Sequence, residues 1–176
     1  MRIAITGATG YIGRRLIRAA RLSGHDVLAL SRRPVREPGV AWQPYDLCDL
    51  VCPPLPVDVA AVFHLAADTG NAPAAEPDEL GAAQLLMSAA DSVGATFVFV
   101  SSQTARADAP TNYGTTKWKI EVATLKAGGI VIRPGLVYGG PTQGLFGMLC
   151  QLVQRLPVLP AFIPAPAVQP VHVDDL

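Results

Sequence analysis

The sequence predicts an α/β protein in which helices cover both faces of a parallel sheet. Two observations lead to this prediction. Short apolar segments alternate with amphipathic ones along most of the 176 residues, and this alternation is typical of parallel sheets with crossover helices. A glycine-rich turn also joins the first apolar segment directly to the first amphipathic one.

Six apolar segments are predicted to be strands. They lie at residues 2–6, 27–30, 40–42, 61–65, 96–100 and 130–132. The fifth segment, Thr96-Phe97-Val98-Phe99-Val100, is apolar at alternate and intervening positions alike. It is therefore predicted to be a central strand, which is buried on both faces in a parallel sheet.

Four segments with apolar residues three or four positions apart are predicted to be helices. They lie at residues 11–23, 77–93, 112–127 and about 143–155. Residues 48–58 and 157–170 are rich in proline. Because proline breaks helices, any crossover helix within 48–58 is expected to be short or absent.

The composition excludes several classes of protein. Half of the residues are hydrophobic and 16% are charged, which is typical of a globular chain. The 14 basic and 14 acidic residues give a net charge of zero, which predicts no broad basic face and no nucleic-acid partner. No apolar stretch reaches transmembrane length, so no membrane partner is expected. Cys48, Cys52 and Cys150 lack zinc-site spacing, so we expect no metal site and free thiols in a reducing cytoplasm.

The glycine turn after the first strand has the sequence Thr6-Gly7-Ala8-Thr9-Gly10-Tyr11-Ile12-Gly13. Its spacing is G-x-x-G-x-x-G, and it differs from a Walker A loop because no Gly-Lys-Ser/Thr follows. Strand, turn and helix in this order place the N–H groups of a helix N-terminus where a pyrophosphate can bind. An ordinary glycine turn is the alternative interpretation.

A second group of residues has the chemistry of proton transfer. Tyr113 and Lys117 are four positions apart on a predicted helix, so their side chains are neighbours on one face. A lysine ammonium beside a phenol lowers the tyrosine pKa, and such a phenol can exchange a proton with a substrate oxygen. Ser101-Ser102 end the fifth strand, at the sheet edge where ligands bind. A surface Tyr–Lys pair and simple capping serines are the alternatives.

Together these motifs resemble the extended branch of the short-chain dehydrogenase/reductase superfamily, the NAD-dependent epimerase/dehydratase family. Three further segments match the family pattern in the right order. They are His64-Leu65-Ala66-Ala67, Arg133-Pro134-Gly135-Leu136-Val137-Tyr138-Gly139 and Val171-His172-Val173-Asp174-Asp175. The resemblance implies a Rossmann-type doubly wound sheet. It also implies a dinucleotide-binding domain over residues 1–139 and the start of a substrate-binding region over residues 140–176.

The resemblance implies a role for each matching residue. The catalytic residues would be Tyr113 as acid/base, Lys117 as the group that binds the nicotinamide ribose and tunes Tyr113, and Ser102 as the group that orients the substrate oxygen. The motifs and the end of the second strand together predict the residues that bind the cofactor. They are Gly7, Thr9, Gly10, Tyr11, Ile12, Gly13, Ser31, Arg32, Arg33, Asp46, Leu47, Leu65, Ala66, Ala67, Tyr113, Lys117, Pro134, Gly135 and Val137.

The end of the second strand predicts which cofactor is used. An acidic residue there would bind the ribose 2′-hydroxyl of NAD and repel the 2′-phosphate of NADP. This chain has Ser31-Arg32-Arg33 instead, and guanidinium groups suit phosphate oxygens. The prediction is NADP rather than NAD, unless the two arginines are merely solvated loop charges.

The predicted activity is hydride transfer between the nicotinamide and a carbinol or carbonyl carbon of a small molecule. The resemblance to the family makes a nucleotide sugar a candidate substrate. A non-catalytic dinucleotide-binding or sensing protein is the alternative, and a homodimer through helices 77–93 and 112–127 is expected. The chain departs from the family in its short segment after Ala67, in Asp78 where Asn is usual, and in its end at Leu176. Because extended members continue into a substrate lobe, we expect that lobe to be missing or truncated here.

Overall fold

The computed structural model describes residues 1–68, 78–139, 144–156 and 169–176. The described residues form two compact units, Met1–Arg133 and Pro134–Leu176. The predicted helix starts at residues 77 and 143 and the prolines of 157–168 lie outside the described residues. No helix in the described part of the chain is long and apolar enough to cross a bilayer.

The first unit contains one six-stranded parallel sheet and three helices. Its elements in chain order are β1 Arg2–Thr6, α1 Tyr11–Leu22, β2 Asp26–Ser31, β3 Val40–Pro44, β4 Val59–His64, α2 Glu79–Ser92, β5 Thr96–Val100, α3 Asn112–Lys126 and β6 Ile130–Ile132. The strand order is β3-β2-β1-β4-β5-β6. The predicted doubly wound sheet is therefore confirmed, and residues 45–58 contain no helix, in keeping with their prolines.

Two apolar layers hold the helices against the sheet. On one face, Ile17 and Ala20 of α1 pack against Ile3 and Ile5 of β1. On the other face, α2 and α3 pack against β1, β4 and β5. The largest side chains buried in this second layer include Leu86, Phe99 and Ile120. Burial of each such side chain stabilises the fold by about 1.5–3 kcal/mol. The sheet is thus packed between two apolar layers.

The second unit contains β7 Leu136–Tyr138, α4 Gly144–Arg155 and β8 Pro170–His172. β7 and β8 pair in parallel, with Val137 opposite Val171. Neither strand was predicted, because β7 directly follows Pro134-Gly135 and β8 begins at Pro170, where proline and glycine indicate breaks in regular structure. Gly135 is required in this pairing because a Cβ there would overlap the carbonyl oxygen of Gln169.

The strand order reverses beside β1, because α1 leads to β2 on one side while β4 lies on the other. In an open parallel sheet, the loops at the carboxyl ends of strands diverge at such a reversal and leave a crevice. The crevice follows β1, β4 and β5 here, and the glycine turn and Ser101 lie at its edge.

Candidate functional site

The crevice at the carboxyl edge of the sheet is a cleft of about 440 Å³. Most of the residues predicted to bind a cofactor or to act in catalysis line it. These are Gly7, Thr9, Gly10, Tyr11, Ile12, Gly13, Ser31, Arg32, Asp46, Leu47, Leu65, Ala66, Ala67, Tyr113 and Lys117. The fold thus brings together residues from the ends of the first, second, third and fourth strands and from α3, which are far apart in the sequence.

The glycine turn is built for close backbone approach. Gly7 has a φ of +64°, and a Cβ there would lie 2.9 Å from the backbone nitrogen of Ala66. A Cβ on Gly13 would overlap the carbonyl oxygen of Gly7, which accepts a hydrogen bond from the N–H of Gly10 at 2.9 Å. Gly10 caps α1 without a side-chain hydrogen bond. The start of α1 therefore lines the cleft with no capping side chain, and a helix N-terminus of this kind can bind an anion.

Thr6 holds the opposite wall of the cleft in place. Its hydroxyl oxygen accepts hydrogen bonds from the N–H groups of Leu65 and Ala66, both at 3.1 Å. The hydroxyl then has its own proton left for Nδ1 of His64, 2.8 Å away. This arrangement places the His64 ring proton on Nε2. Burial and the charge of Lys117 lower the pKa of His64 to about 3, so the ring is neutral and serves as a fixed support.

The residues predicted to contact the adenosine part of the cofactor follow β2 and β3. Arg32 and Arg33 are both exposed, but of these two only Arg32 lines the cleft. Ser31 is buried, donates its hydroxyl proton to the carbonyl oxygen of Arg33 at 2.8 Å, and accepts the indole N–H of Trp42. These bonds hold the Ser31–Arg33 turn in place at the cleft, which Ser31 and Arg32 line.

Tyr113 and Lys117 meet at the floor of the cleft, on the first turns of α3. The ammonium group of Lys117 lies 5.6 Å from the centre of the Tyr113 ring and 4.7 Å from the centre of the Phe99 ring. It donates a hydrogen bond to the carbonyl oxygen of Val100 at 3.3 Å. Burial lowers the pKa of Lys117 to about 8, although the carboxylates of Glu79 and Glu121 raise it in part. The lysine therefore keeps its charge at neutral pH.

The pKa of Tyr113 differs from the prediction. Lysine at one-turn spacing predicted a lowered pKa, but the pKa of Tyr113 is raised, first by burial and then by the charge of Glu79. A hydrogen bond from Ser102 lowers it only in part. The reason is that the Tyr113 hydroxyl loses solvation although the residue is 41% exposed overall. At neutral pH, Tyr113 carries its proton.

Glu79 is a residue of this site that the sequence patterns missed. It is buried at the start of α2, and its Oε1 accepts a hydrogen bond from the N–H of Asp68 at 2.9 Å. Its Oε2 has no hydrogen-bond partner in the described part of the chain. Burial raises the pKa of Glu79, and the charge of Lys117 lowers it. A charged residue within the apolar pattern of an amphipathic helix was the signal that could have identified it.

Four other residues were predicted to belong to the site: Ser102, Pro134, Gly135 and Val137. Ser102 does not line the cleft, and its hydroxyl lies 3.0 Å from that of Thr104. Its neighbour Ser101 is buried, lines the cleft, and has a hydroxyl without a partner among the described residues. Pro134, Gly135 and Val137 belong to the second unit, so their contribution to cofactor binding stays a prediction.

Comparison with known proteins gives consistent matches. The sequence model of the NAD dependent epimerase/dehydratase family matches residues 3–139. A curated relative from Caulobacter vibrioides (strain NA1000 / CB15N), named ceramide reductase, is 32% identical over 192 aligned positions covering 98% of this chain. The chain spans 57% of the length of that relative.

Solved structures resemble the fold. MoeE5, solved in complex with UDP-glucose and NAD, is 26% identical with a TM-score of 0.67, covering 98% of this chain and 68% of its own. A UDP-galactose 4-epimerase is 22% identical with a TM-score of 0.74 and the same two coverages. The second likeness is one of fold alone.

Proposed function

The chain belongs to the NAD dependent epimerase/dehydratase family, and from this premise we propose that it is a nicotinamide-dependent oxidoreductase that reduces a carbonyl group to a hydroxyl. The observation that carries this proposal is the cleft in which the glycine turn, Tyr113 and Lys117 come together. A dinucleotide fits this cleft because the glycine backbones allow close approach and the first turn of α1 has no side-chain cap.

The protein residues divide the chemistry among them. A nicotinamide bound in the cleft would supply the hydride. Tyr113 is protonated at neutral pH, which is the form that can donate a proton to a carbonyl oxygen as it becomes a hydroxyl. The ammonium of Lys117 then stabilises the phenolate that remains, and the Ser102 hydrogen bond also favours that phenolate. The raised pKa of Tyr113 thus keeps this group in its proton-donating form before the reaction.

The proposed substrate is a carbonyl group on a long-chain amide lipid. Support comes from the relative named ceramide reductase, which is 32% identical across almost the whole chain. A nucleotide sugar is the second candidate, because MoeE5, at 26% identity, binds UDP-glucose.

The first experiment tests the proton donor. Tyr113→Phe should lower turnover by about 10²–10⁴-fold, the usual contribution of a general acid, and should leave cofactor affinity nearly unchanged. Oxidation of NADPH would be followed with a panel containing long-chain keto-amide lipids and keto-sugar nucleotides. Tyr138→Phe, which removes a phenol from the second unit, is the matched control. If the wild type binds cofactor and reduces nothing in the panel, the non-catalytic alternative is favoured.

The second experiment tests the cofactor. NADP rather than NAD is proposed because Arg32 lines the cleft and β2 ends without an acidic residue. Paired titrations should show tighter binding of NADPH than of NADH. Arg32→Ala should remove most of this preference, whereas Arg33→Ala, outside the cleft lining, should keep it. Equal affinity of the wild type for both cofactors would overturn the proposal.

A further inference from the structure

The net charge of zero conceals an uneven distribution of charge along the chain. The first 39 residues contain eight arginines and two acidic residues, whereas the remaining 137 contain six basic and twelve acidic residues. The net charge alone predicted no basic face. The fold instead gathers half of the early arginines on one helix.

The outer face of α1 carries these arginines, and we call it the arginine face: Arg14, Arg15, Arg18 and Arg21. Spacings of four and three residues place Arg14, Arg18 and Arg21 in one row. The opposite side of the helix is buried against the sheet through Gly13, Ile17 and Ala20. At 1.5 Å per residue, the row extends for about 10 Å. The arginine face therefore presents several cations to one side of the molecule.

The loop between β2 and β3 extends this face. Glu37 and Pro38 line a shallow groove together with the four arginines and Leu22. The N–H of Val40 donates to the carbonyl oxygen of Glu37 at 3.1 Å, which closes a turn with Pro38 and Gly39 at its centre. Gly39 has a φ of +74°, and a Cβ there would overlap the guanidinium of Arg21. Helix and loop thus form one continuous surface.

Three of these arginines, Arg14, Arg18 and Arg21, have no close carboxylate partner among the described residues. Arg21 pairs with Asp26 only at 4.0 Å, with both side chains largely exposed, and such pairs contribute little. Within the described ranges, Arg14 and Arg18 form no ion pair with a carboxylate. Arg14 instead donates from Nε to the carbonyl oxygen of Thr9 at 2.9 Å. That bond joins the arginine face to the glycine turn at the rim of the cleft.

We propose that the arginine face docks the protein on an anionic membrane surface. The proposal rests on the proposed lipid substrate, because the carbonyl of a long-chain lipid is presented at a bilayer. Arginines near an anionic leaflet are attracted to it individually, and their contributions add. Leu22 is 80% exposed in the same groove, and an apolar side chain beside arginines suits the boundary of headgroups and acyl chains. A nucleic-acid backbone would gain nothing from this leucine.

Cosedimentation with vesicles tests this docking. The wild type should bind vesicles of phosphatidylcholine with phosphatidylglycerol, and should bind phosphatidylcholine alone far more weakly. The triple variant Arg15→Gln, Arg18→Gln, Arg21→Gln should bind the anionic vesicles on the order of 100-fold more weakly. Its matched control is Arg106→Gln, Lys119→Gln, Lys126→Gln, which removes the same charge from exposed positions elsewhere and should bind as the wild type does.

Three results would overturn the proposal. One is equal binding to both kinds of vesicle, and another is an equal loss in the two triple variants, which would show a response to net charge alone. The third is tighter binding of a short DNA duplex through the same arginines, which would make the partner a nucleic acid. Circular dichroism verifies folding of each variant. Cosedimentation measures binding to vesicles and not turnover. A protein that binds anionic vesicles but reduces no lipid would therefore contradict the proposed substrate and not the docking.

Discussion

Glu79 combines two properties at the scale of a single residue: it is buried, and its carboxylate acts on both Tyr113 and Lys117. Its charge raises the pKa of Lys117 and of Tyr113. Its Oε1 also holds the backbone N–H of Asp68, which lines the cleft. Glu121 on α3 also raises the pKa of Lys117, and the charge of Lys117 in turn lowers the pKa of His64 on β4. Glu79 is therefore expected to position the cleft wall and to hold protons on the pair.

Glu79→Gln should separate these two roles, since glutamine keeps an acceptor for Asp68 but loses the charge. We expect the pKa values of Tyr113 and Lys117 to fall, because the charge of Glu79 raises both. The alkaline limb of the pH–rate profile should shift to lower pH accordingly. Ultraviolet titration, with the Tyr113→Phe spectrum subtracted, measures the tyrosine directly. Glu37→Gln, in an exposed loop, is the control; a Tyr113 titration unchanged by Glu79→Gln would rule out the electrostatic role.

Sequence patterns placed Tyr113 beside Lys117 but did not give the electrostatics of this pair, for a physical reason. Helical spacing is local, so Tyr113 and Lys117 could be placed side by side from four positions of sequence. Desolvation depends on the whole surroundings, and it was burial that raised the pKa of Tyr113 against expectation. The sequence also could not decide between Ser101 and Ser102, because a shift of one residue along the chain determines which of the two lines the cleft.

Helix α3 and strand β6 are joined at the element scale by an ion pair. Arg133, just after β6, donates from Nε to Oε1 of Glu121 at 2.7 Å and from Nη2 to Oε2. The Glu121 side chain is 3% exposed and that of Arg133 is 52% exposed. Removal of one partner leaves the buried carboxylate uncompensated, which costs far more than the intact pair contributes.

Arg133→Met should therefore destabilise the protein by about 2–3 kcal/mol, less than for a fully buried pair because Arg133 is half exposed. The double variant Arg133→Met, Glu121→Met should recover part of that loss. Urea unfolding of the wild type, both single variants and the double variant gives the coupling. Arg106→Met, whose pair with Asp108 is exposed, should change stability little. Additive losses in the double variant would contradict a charge-specific role.

The six strands of the large sheet were predicted well from their local patterns, whereas β7 and β8 were not predicted. The six strands of the large sheet each have an apolar run bounded by a turn or a helix. β7 and β8 are three residues each and depend on pairing between distant segments. The family is confirmed by the family model that matches residues 3–139, and the doubly wound fold is confirmed by the strand order of the large sheet.

At the scale of the whole molecule, the expected homodimer remains a prediction. α2 and α3 expose Leu85, Val122 and Leu125, which are 43%, 46% and 61% exposed. We expect these side chains to be covered by a second copy, so Val122→Glu with Leu125→Glu should yield a monomer by analytical ultracentrifugation. Val57→Glu, at an 88% exposed position away from both helices, should leave the mass unchanged. A monomeric wild type would contradict the prediction.

The stability of the whole molecule should fall in acid because of His64. Its pKa is about 3 in the fold and about 6.5 in the unfolded chain. Between these values the unfolded chain binds a proton that the native protein does not, so stability is complete above pH 6.5 and is lost as the pH falls toward 3. Glu79, whose pKa is raised, opposes this trend over part of the same range, because its native form holds a proton longer.

His64 alone should contribute a loss of about 3 kcal/mol between pH 7 and pH 4. His64→Asn should lower stability at pH 7, since it leaves space beside Phe97 and Phe99, yet it should flatten the dependence on pH. Urea unfolding at both pH values gives the two slopes. His25→Asn, in the turn before β2, should retain the wild-type slope. If His64→Asn loses as much stability in acid as the wild type, buried His64 is not the source of the acid sensitivity.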